Sequence, residues 1–417
     1  MKKALSWVLT LTFLLVAGAL AGQEAEEKEP TPRHRAINLS LFYPLSLNSS
    51  EHDTADVSLS IFYNRLGSVR GLDLSLGVTG LMDSLNGVQV AGLVAAAGES
   101  MKGLQTAGLI CVAGEQGEGL QIAGLGSVSG GKFSGVQVSG LFCVAGEQLK
   151  GAQVAGLFSV AGDYATGFQV SGLFSVAGEG IEGFQAAGLF NVAGENLKGV
   201  QVSGLFNVAG EESLALQASG LMNITGETCR GVQIGLFNVT EHLTGLQIGL
   251  INVAEDLEGV PVGLVNLTRK EDRRIRMAAW AGSASLLNTG AKIWAKNFYS
   301  ILYVGIVNMT QEPRGCLGYG FHYGYGVPIP SAKGGSGRKM RVDVDAGYLC
   351  LDNSTLFRRI KGTPDRHVLS LRGAWTLELS PDVSVFAGTG LRYTIDYDAS
   401  FGDGKVAPIL FAGVELF

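Results

Sequence analysis

Apolar and polar positions alternate along most of this chain, and a slower rhythm lies over the alternation. Gln89, Gln105, Gln121, Gln137, Gln153, Gln169, Gln185, Gln201 and Gln217 stand sixteen residues apart; Gln233 follows at the same interval and Gln247 after fourteen. The copy Gly199–Leu214 reads GVQVSGLFNVAGEESL, and the common pattern is G-x-Q-x-[AS]-G-L-x-[NSC]-V-A-G-[ED]. Asp73 takes the Gln position one copy earlier, so a tandem repeat array spans residues 71–268. Within each copy Val, Leu, Ile and Phe alternate with Gln, Ser and Asn, the period of a strand, and a Gly-acidic pair closes the copy as a turn. No copy has a Gly-free stretch long enough for a helix. A fixed period repeated this often decides the architecture of a chain, and the class it predicts is all-β.

Two all-β architectures fit the copies. Each could be one coil of a β-solenoid, with two short strands and two corners. Each could instead be one strand of about ten residues in a large barrel wall, long enough to cross a bilayer. The fourteen-residue copies GVQIGLFNVTEHLT and GLQIGLINVAEDLE favour the solenoid. They lose one residue before the central Gly and one at the closing turn. A loss inside a strand would reverse every later side chain; a loss at a corner only tightens it. In the early copies, Leu72, Leu74, Leu76 and Val78 alternate without interruption, as a barrel strand would. In a solenoid, like residues stack about 4.8 Å apart, and the Gln and Asn columns would form amide ladders.

The rhythm stops at the charged segment RKEDRRIR, residues 269–276. Beyond it the strands are longer and unlike one another. Val342, Val344, Ala346 and Tyr348 alternate with Arg341, Asp343, Asp345 and Gly347. His367, Leu369, Leu371, Gly373, Trp375, Leu377 and Leu379 share one face, and Val383 to Ile395 form the next strand after a Ser380-Pro381-Asp382 turn. Aromatics at Trp375, Tyr393 and Tyr397 sit near strand ends, where membrane interfaces place them. About eight strands are predicted in 269–417, an antiparallel barrel of outer-membrane type. Two more in the segment 36–70 could help to close it.

The chain ends in APILFAGVELF, whose aromatic Phe417 resembles the sorting signal of bacterial outer-membrane barrels; Glu415 departs from it, standing where such signals carry an apolar residue. Together with the repeat and the segment FYSILYVGIV, residues 298–307, these strands resemble a bacterial family of surface repeat-containing envelope proteins, mostly uncharacterised. The resemblance implies a place at the cell surface or outer membrane and brings no chemistry with it.

Composition narrows the rest. Gly is 61 of 417 residues and only 16% are charged, which argues against disorder and helical bundles. The net charge of −6 gives no basis for nucleic-acid binding. Lys2, Lys3, the apolar run Ala4–Leu20 and the small-x-small site Ala19-Leu20-Ala21 predict a signal peptide over 1–21, and hence export. Gln23 stands where a lipoprotein would carry its lipidated Cys, so no lipid anchor is expected. Residues 22–35, charged and Pro-containing, predict a disordered leader.

Candidate chemistry is sparse. Cys111 and Cys143 share one repeat column two copies apart, about 9–10 Å and too far for a disulfide. A hairpin of 316–328 with 339–351 would bring Cys316 and Cys350 together at its base, predicting a disulfide there. The five histidines are scattered and no GxSxG elbow is present. Gly126–Phe133 and Gly178–Gly183 mimic phosphate loops, but both lie in repeat turns followed by strands rather than by the helix such loops require. Glu147, Asp163, Glu179, Glu195, Glu211 and Glu227 belong to one acidic column. Like charges about 5 Å apart repel, and Ca²⁺ is the cation whose oxygen preference suits such a row; no other cofactor is expected. These features predict a non-enzymatic envelope protein with a structural or interaction role, its array held at the outer membrane by a barrel and meeting a surface or envelope partner the sequence does not name. The alternative is an outer-membrane pore whose wall the repeats themselves would build.

Overall fold

The computed structural model describes residues 33–47, 50–269, 275–283, 285–307, 316–330, 339–352, 354–355, 358–359, 366–396 and 404–416. The expected signal peptide, most of the leader, Tyr397 and Phe417 lie outside them. Every regular element among the described residues is a strand. The chain divides into two compact units, Met1–Glu227 and Thr228–Phe417.

In the first unit each sixteen-residue copy makes a longer strand, such as Lys132–Ser139, and a four-residue strand, such as Phe142–Ala145. Each pairs in parallel with its counterpart one copy away, Gln121 opposite Gln137 and Val128 opposite Val144. Parallel pairing between copies settles the choice of architecture: the array is a β-solenoid of about 15 turns, not a barrel wall. The strands His34–Phe42 and Thr54–Leu66 also pair in parallel, with each other and then with Ser68–Ser75. They are opening coils of the solenoid rather than barrel strands, and the first begins inside the segment expected to be a disordered leader.

The solenoid interior is built from small and polar side chains. The Gln column, Gln89 to Gln217, is 0% exposed. Each amide Nε2 donates to Oε1 of the Gln one coil earlier, at 2.7–3.0 Å. Most also reach across the coil to a carbonyl of the short strand, as Gln153 does to Val160 O at 3.1 Å. An Asn column faces them and runs the opposite way: Asn191 donates to Asn207, and Asn207 to Asn223, both at 3.0 Å. Ser127, Cys143, Ser159 and Ser175 fill the same column in earlier coils. An apolar strip of Phe133, Leu149, Ala165, Ile181 and Leu197 packs against the Ala column at the remaining corner of the interior.

The structure adds a bend that the two-corner expectation lacked. Gly87, Gly103, Gly119, Gly135, Gly151, Gly167, Gly183 and Gly199 all have φ between 121° and 148°. The alternation of buried and outward positions slips at this column: in Leu149–Ala155, Lys150, Gly151 and Ala152 all lie outside the buried set. The longer strand is therefore folded there, and each coil has a third, short side.

Because every Gln amide donates toward the N-terminal end, the ladder must finish on an acceptor. Asp73 supplies it: its carboxylate accepts from Gln89 Nε2 at 3.1 Å and Thr79 Oγ1 at 2.5 Å, with Asn64 Nδ2 at 3.5 Å. Burial raises the Asp73 pKa, and the hydrogen bonds from Thr79, Gln89, Ser58 and Asn64 offset this only in part. A carboxyl that holds its proton more tightly when folded contributes stability that is complete below the unfolded value of about 3.9 and lost as pH rises through the folded value. The melting temperature of the parent minus that of Asp73→Asn is thus expected to fall as pH is raised from about 4 toward 7. A flat or rising difference would contradict this account.

The second unit opens with shortened coils. Gln247 Nε2 donates to Gln233 Oε1 at 2.8 Å, and Asn238, Asn252 and Asn266 form an Asn ladder at 2.9 and 2.8 Å. Both columns stay in register, Gln233 opposite Gln247 and Asn238 opposite Asn252, so the lost residues do fall at corners. The last coil, Val260–Thr268, rests on the barrel: Asn266 Nδ2 donates to Ser300 Oγ at 3.2 Å, Ser300 Oγ donates to Gly263 O at 2.8 Å, and the Tyr323 hydroxyl donates to Pro261 O. The barrel is closed and antiparallel, with eight strands from Ile275–Gly282 to Lys405–Leu416, the last pairing with the first. The predicted hairpin Arg366–Ser380 with Val383–Asp396 is formed.

Candidate functional site

The barrel buries charged side chains together with an apolar core and carries a belt of apolar side chains on its outer wall. In Met340–Asp352, Asp343 and Asp345 are buried and Val344 is exposed. In Arg366–Ser380, Val368, Arg372, Ala374 and Thr376 point in, while Leu369, Leu371, Trp375 and Leu379 point out; Leu371 is 57% exposed. Leu287, Val304, Phe321, Leu391 and Leu410 continue the outer belt around the other strands.

The lumen holds two ion-pair clusters beside a buried apolar core that includes Trp280, Tyr303, Leu349, Val368, Ile409 and Phe411. In the first, Lys292 Nζ donates to Glu415 Oε1 at 2.7 Å and to Asp343 Oδ2 at 3.0 Å. Arg341 Nε donates to Asp343 at 2.5 Å, Arg276 to Glu415 at 3.2 Å, and Thr376 Oγ1 to Asp343 at 2.9 Å. The Lys292 ammonium lies 4.0 Å from the Tyr299 ring centroid, and the Arg341 guanidinium 4.2 Å from that of Trp294. In the second cluster, Asp345 accepts from Arg372 Nε at 2.8 Å and the Tyr299 hydroxyl at 2.9 Å, with His322 Nδ1 2.8 Å away. His322 Nε2 lies 3.3 Å from the Tyr303 hydroxyl. Charges buried this deeply persist only when paired and hydrogen-bonded, and these are.

Glu415, which departs from the sorting-signal pattern, is the lumen acceptor of this network, while its neighbours Val414 and Leu416 face outward. Asp345, His322 and Tyr303 have the residue types of a proton relay, but the lumen voids beside them measure about 20 and 30 Å³. Each has room for a water molecule and nothing larger.

The sites expected from sequence fare differently. Cys316–Ile329 and Met340–Asp352 do form a hairpin, but its register sets Cys350 opposite Tyr319, three positions along from Cys316, and Cys350 is a free thiol. The register does not bring Cys316 and Cys350 together; the side chain of Cys316 itself lies outside the described residues. Cys111 and Cys143 are buried with Ser127 stacked between them, and burial pushes their thiols up to about 12 and about 11. Buried, protonated thiols of this kind are inert packing groups.

The acidic column is stacked as expected: the Glu179 N–H donates to Asp163 O at 2.7 Å and the Glu211 N–H to Glu195 O at 2.8 Å. Its side chains spread along a solvated edge. Among the described residues no three His, Cys, Asp or Glu side chains converge as metal ligands, those of Glu147, Asp163, Glu179, Glu195, Glu211 and Glu227 included. Both phosphate-loop look-alikes are repeat turns leading into the strands Lys132–Ser139 and Gly180–Ala187.

The lumen clusters escaped the sequence reading, although one signal was present: Arg341, Asp343 and Asp345 recur with the strand period. The chain matches no family model, no curated protein and no solved structure.

Proposed function

We propose that this chain is a non-enzymatic protein of the bacterial envelope. Its barrel inserts in an outer membrane as an anchor, and its solenoid does structural or interaction work there. One observation carries the reading: the barrel buries Lys292, Asp343, Asp345 and Glu415 and exposes Leu371, Trp375 and Leu410. That arrangement is costly in water and favoured in hydrocarbon, where a closed barrel also satisfies every ladder hydrogen bond. The export signal and the resemblance to surface-repeat envelope proteins support the same reading. The pore alternative loses ground on two observations: the repeats coil instead of lining a wall, and side chains occupy the lumen.

Mature protein refolded into vesicles is expected to resist alkaline extraction and to migrate faster on a gel unheated than heated. Extraction into the aqueous phase together with identical migration would overturn the anchor. Stepwise conductance in planar bilayers would overturn it in favour of a pore.

A further inference from the structure

We propose that the solenoid coils are themselves lipid-facing: two of their three sides lie in the hydrocarbon of one bilayer leaflet, with the charged edge at the headgroups. This inference rests on the membrane reading of the barrel.

The coils of the first unit are inverted relative to a water-soluble solenoid. On two sides Gln, Ser and Asn point in and Val, Leu and Phe point out, while Phe133, Leu149, Ile181 and Leu197 of the third side pack inside. The corner column Leu109, Leu125, Leu141, Leu157, Leu173, Leu189 and Leu205 is 37–40% exposed throughout. On one side of it stands an exposed column that includes Val138, Val154, Val170 and Val202. On the other, Phe142, Phe158, Phe174 and Phe190 stack at centroid distances of 5.1–5.5 Å. Between residues 84 and 219 charge is confined to the third side and its corner, where Lys102, Lys150 and Lys198 accompany the acidic column. Ten coils at about 4.8 Å spacing carry an apolar surface on the order of 1,000 Å², well above the few hundred that soluble monomers expose. The interior amides bond to one another and the backbone bonds to neighbouring coils, so neither needs water as a partner.

Three features select lipid as the occupant. First, the two apolar sides meet at a convex Leu corner; a flat partner would cover one side, whereas hydrocarbon wets both. Second, each apolar side is four or five residues long, about 13–17 Å, which matches half of the roughly 30 Å hydrocarbon core. Third, within the second unit the Leu column runs into the outer wall of the barrel. Leu264 lines an apolar groove of about 610 Å³ together with Met277, Leu302, Val304, Tyr319 and Phe321. The coil surface and the barrel belt are there one continuous apolar surface.

The test uses the full mature chain with Cys316 and Cys350 replaced by Ser, refolded into dioleoylphosphatidylcholine vesicles with plain or brominated acyl chains. An environment-sensitive fluorophore is attached in turn at Leu205→Cys on the coil corner, Lys198→Cys on the charged edge and Leu371→Cys on the barrel wall. Val154→Cys serves as a second coil site should the corner variant misfold. The coil and barrel labels are expected to be quenched several-fold more by bromine than the Lys198 label. Quenching at Leu371 with none at either coil site overturns the inference and leaves the barrel reading standing. No quenching at any site defeats both. Coil labels shielded from water and lipid alike, in chains that cross-link to one another, would place a second copy on the surface and overturn the inference too.

Discussion

Glu415→Ala is expected to destabilise the barrel by about 3–5 kcal/mol, because removing one partner of a buried ion pair strands the others. Glu415 is 1% exposed and takes hydrogen bonds from Lys292, Arg276 and Arg341. Lys292, itself 3% exposed, would keep only Asp343 as a counter-ion. The readout is the temperature at which the compact gel band converts to the extended one. Lys292→Met combined with Glu415→Leu should recover part of the loss, because it removes the buried ammonium that Glu415→Ala leaves half-paired, while Arg276 still loses Glu415. A Glu415→Ala variant that converts at the parental temperature would show that the lumen charges do not hold the barrel together.

Gly183→Ala is the second large effect, at about 3 kcal/mol. Gly183 has φ 144°, and a Cβ there would stand 2.0 Å from Gly167 O of the coil before it. A left-handed backbone costs an L-residue about 1–2 kcal/mol, and forcing a methyl group against a fixed carbonyl adds about 1–3 kcal/mol of overpacking. Relief requires the two coils to separate, which weakens the Gln169–Gln185 hydrogen bond of 2.7 Å. The chain offers its own control: Ala215 occupies this column in a coil that lacks the positive φ, so Ala215→Gly should cost no more than about 1 kcal/mol of chain entropy. A lower urea midpoint for Gly183→Ala with a near-parental one for Ala215→Gly is the expected pair of results. Equal losses in the two variants would refute the steric account.

The solenoid was legible in the sequence because stacking identical copies requires identical spacing, and Gln and Gly mark that spacing at every turn. The shortened copies were informative for the same reason. The opening coils were not legible, since Asn38 and Ser58 stand in for Gln and the Gly landmarks are absent. The bend at Gly183 and its equivalents was hidden by abundance: Gly occurs at several columns, and only one of them adopts a positive φ. In the barrel, alternation revealed two faces per strand but not which of them turned inward. The pairs that decide this lie far apart in the chain, as with Arg276 and Glu415, 139 residues apart. The Cys316–Cys350 pairing failed on a smaller quantity, a register offset of three residues that the length of the intervening loop could not supply.

The two amide ladders donate in opposite directions along the array. Each aligned row of side-chain dipoles would, by itself, accumulate partial positive charge at the end its N–H groups face, as a helix does along its axis. The Gln row accumulates it toward Asp73, whose carboxylate is of the sign to neutralise it. The Asn row of the first unit accumulates it toward Asn223. Where a coil carries both rows, the two moments oppose each other. A copy that carries both Gln and Asn, such as that of Gln201 and Asn207, therefore adds little net moment, whereas a copy with Ser in the Asn column adds the moment of its Gln alone.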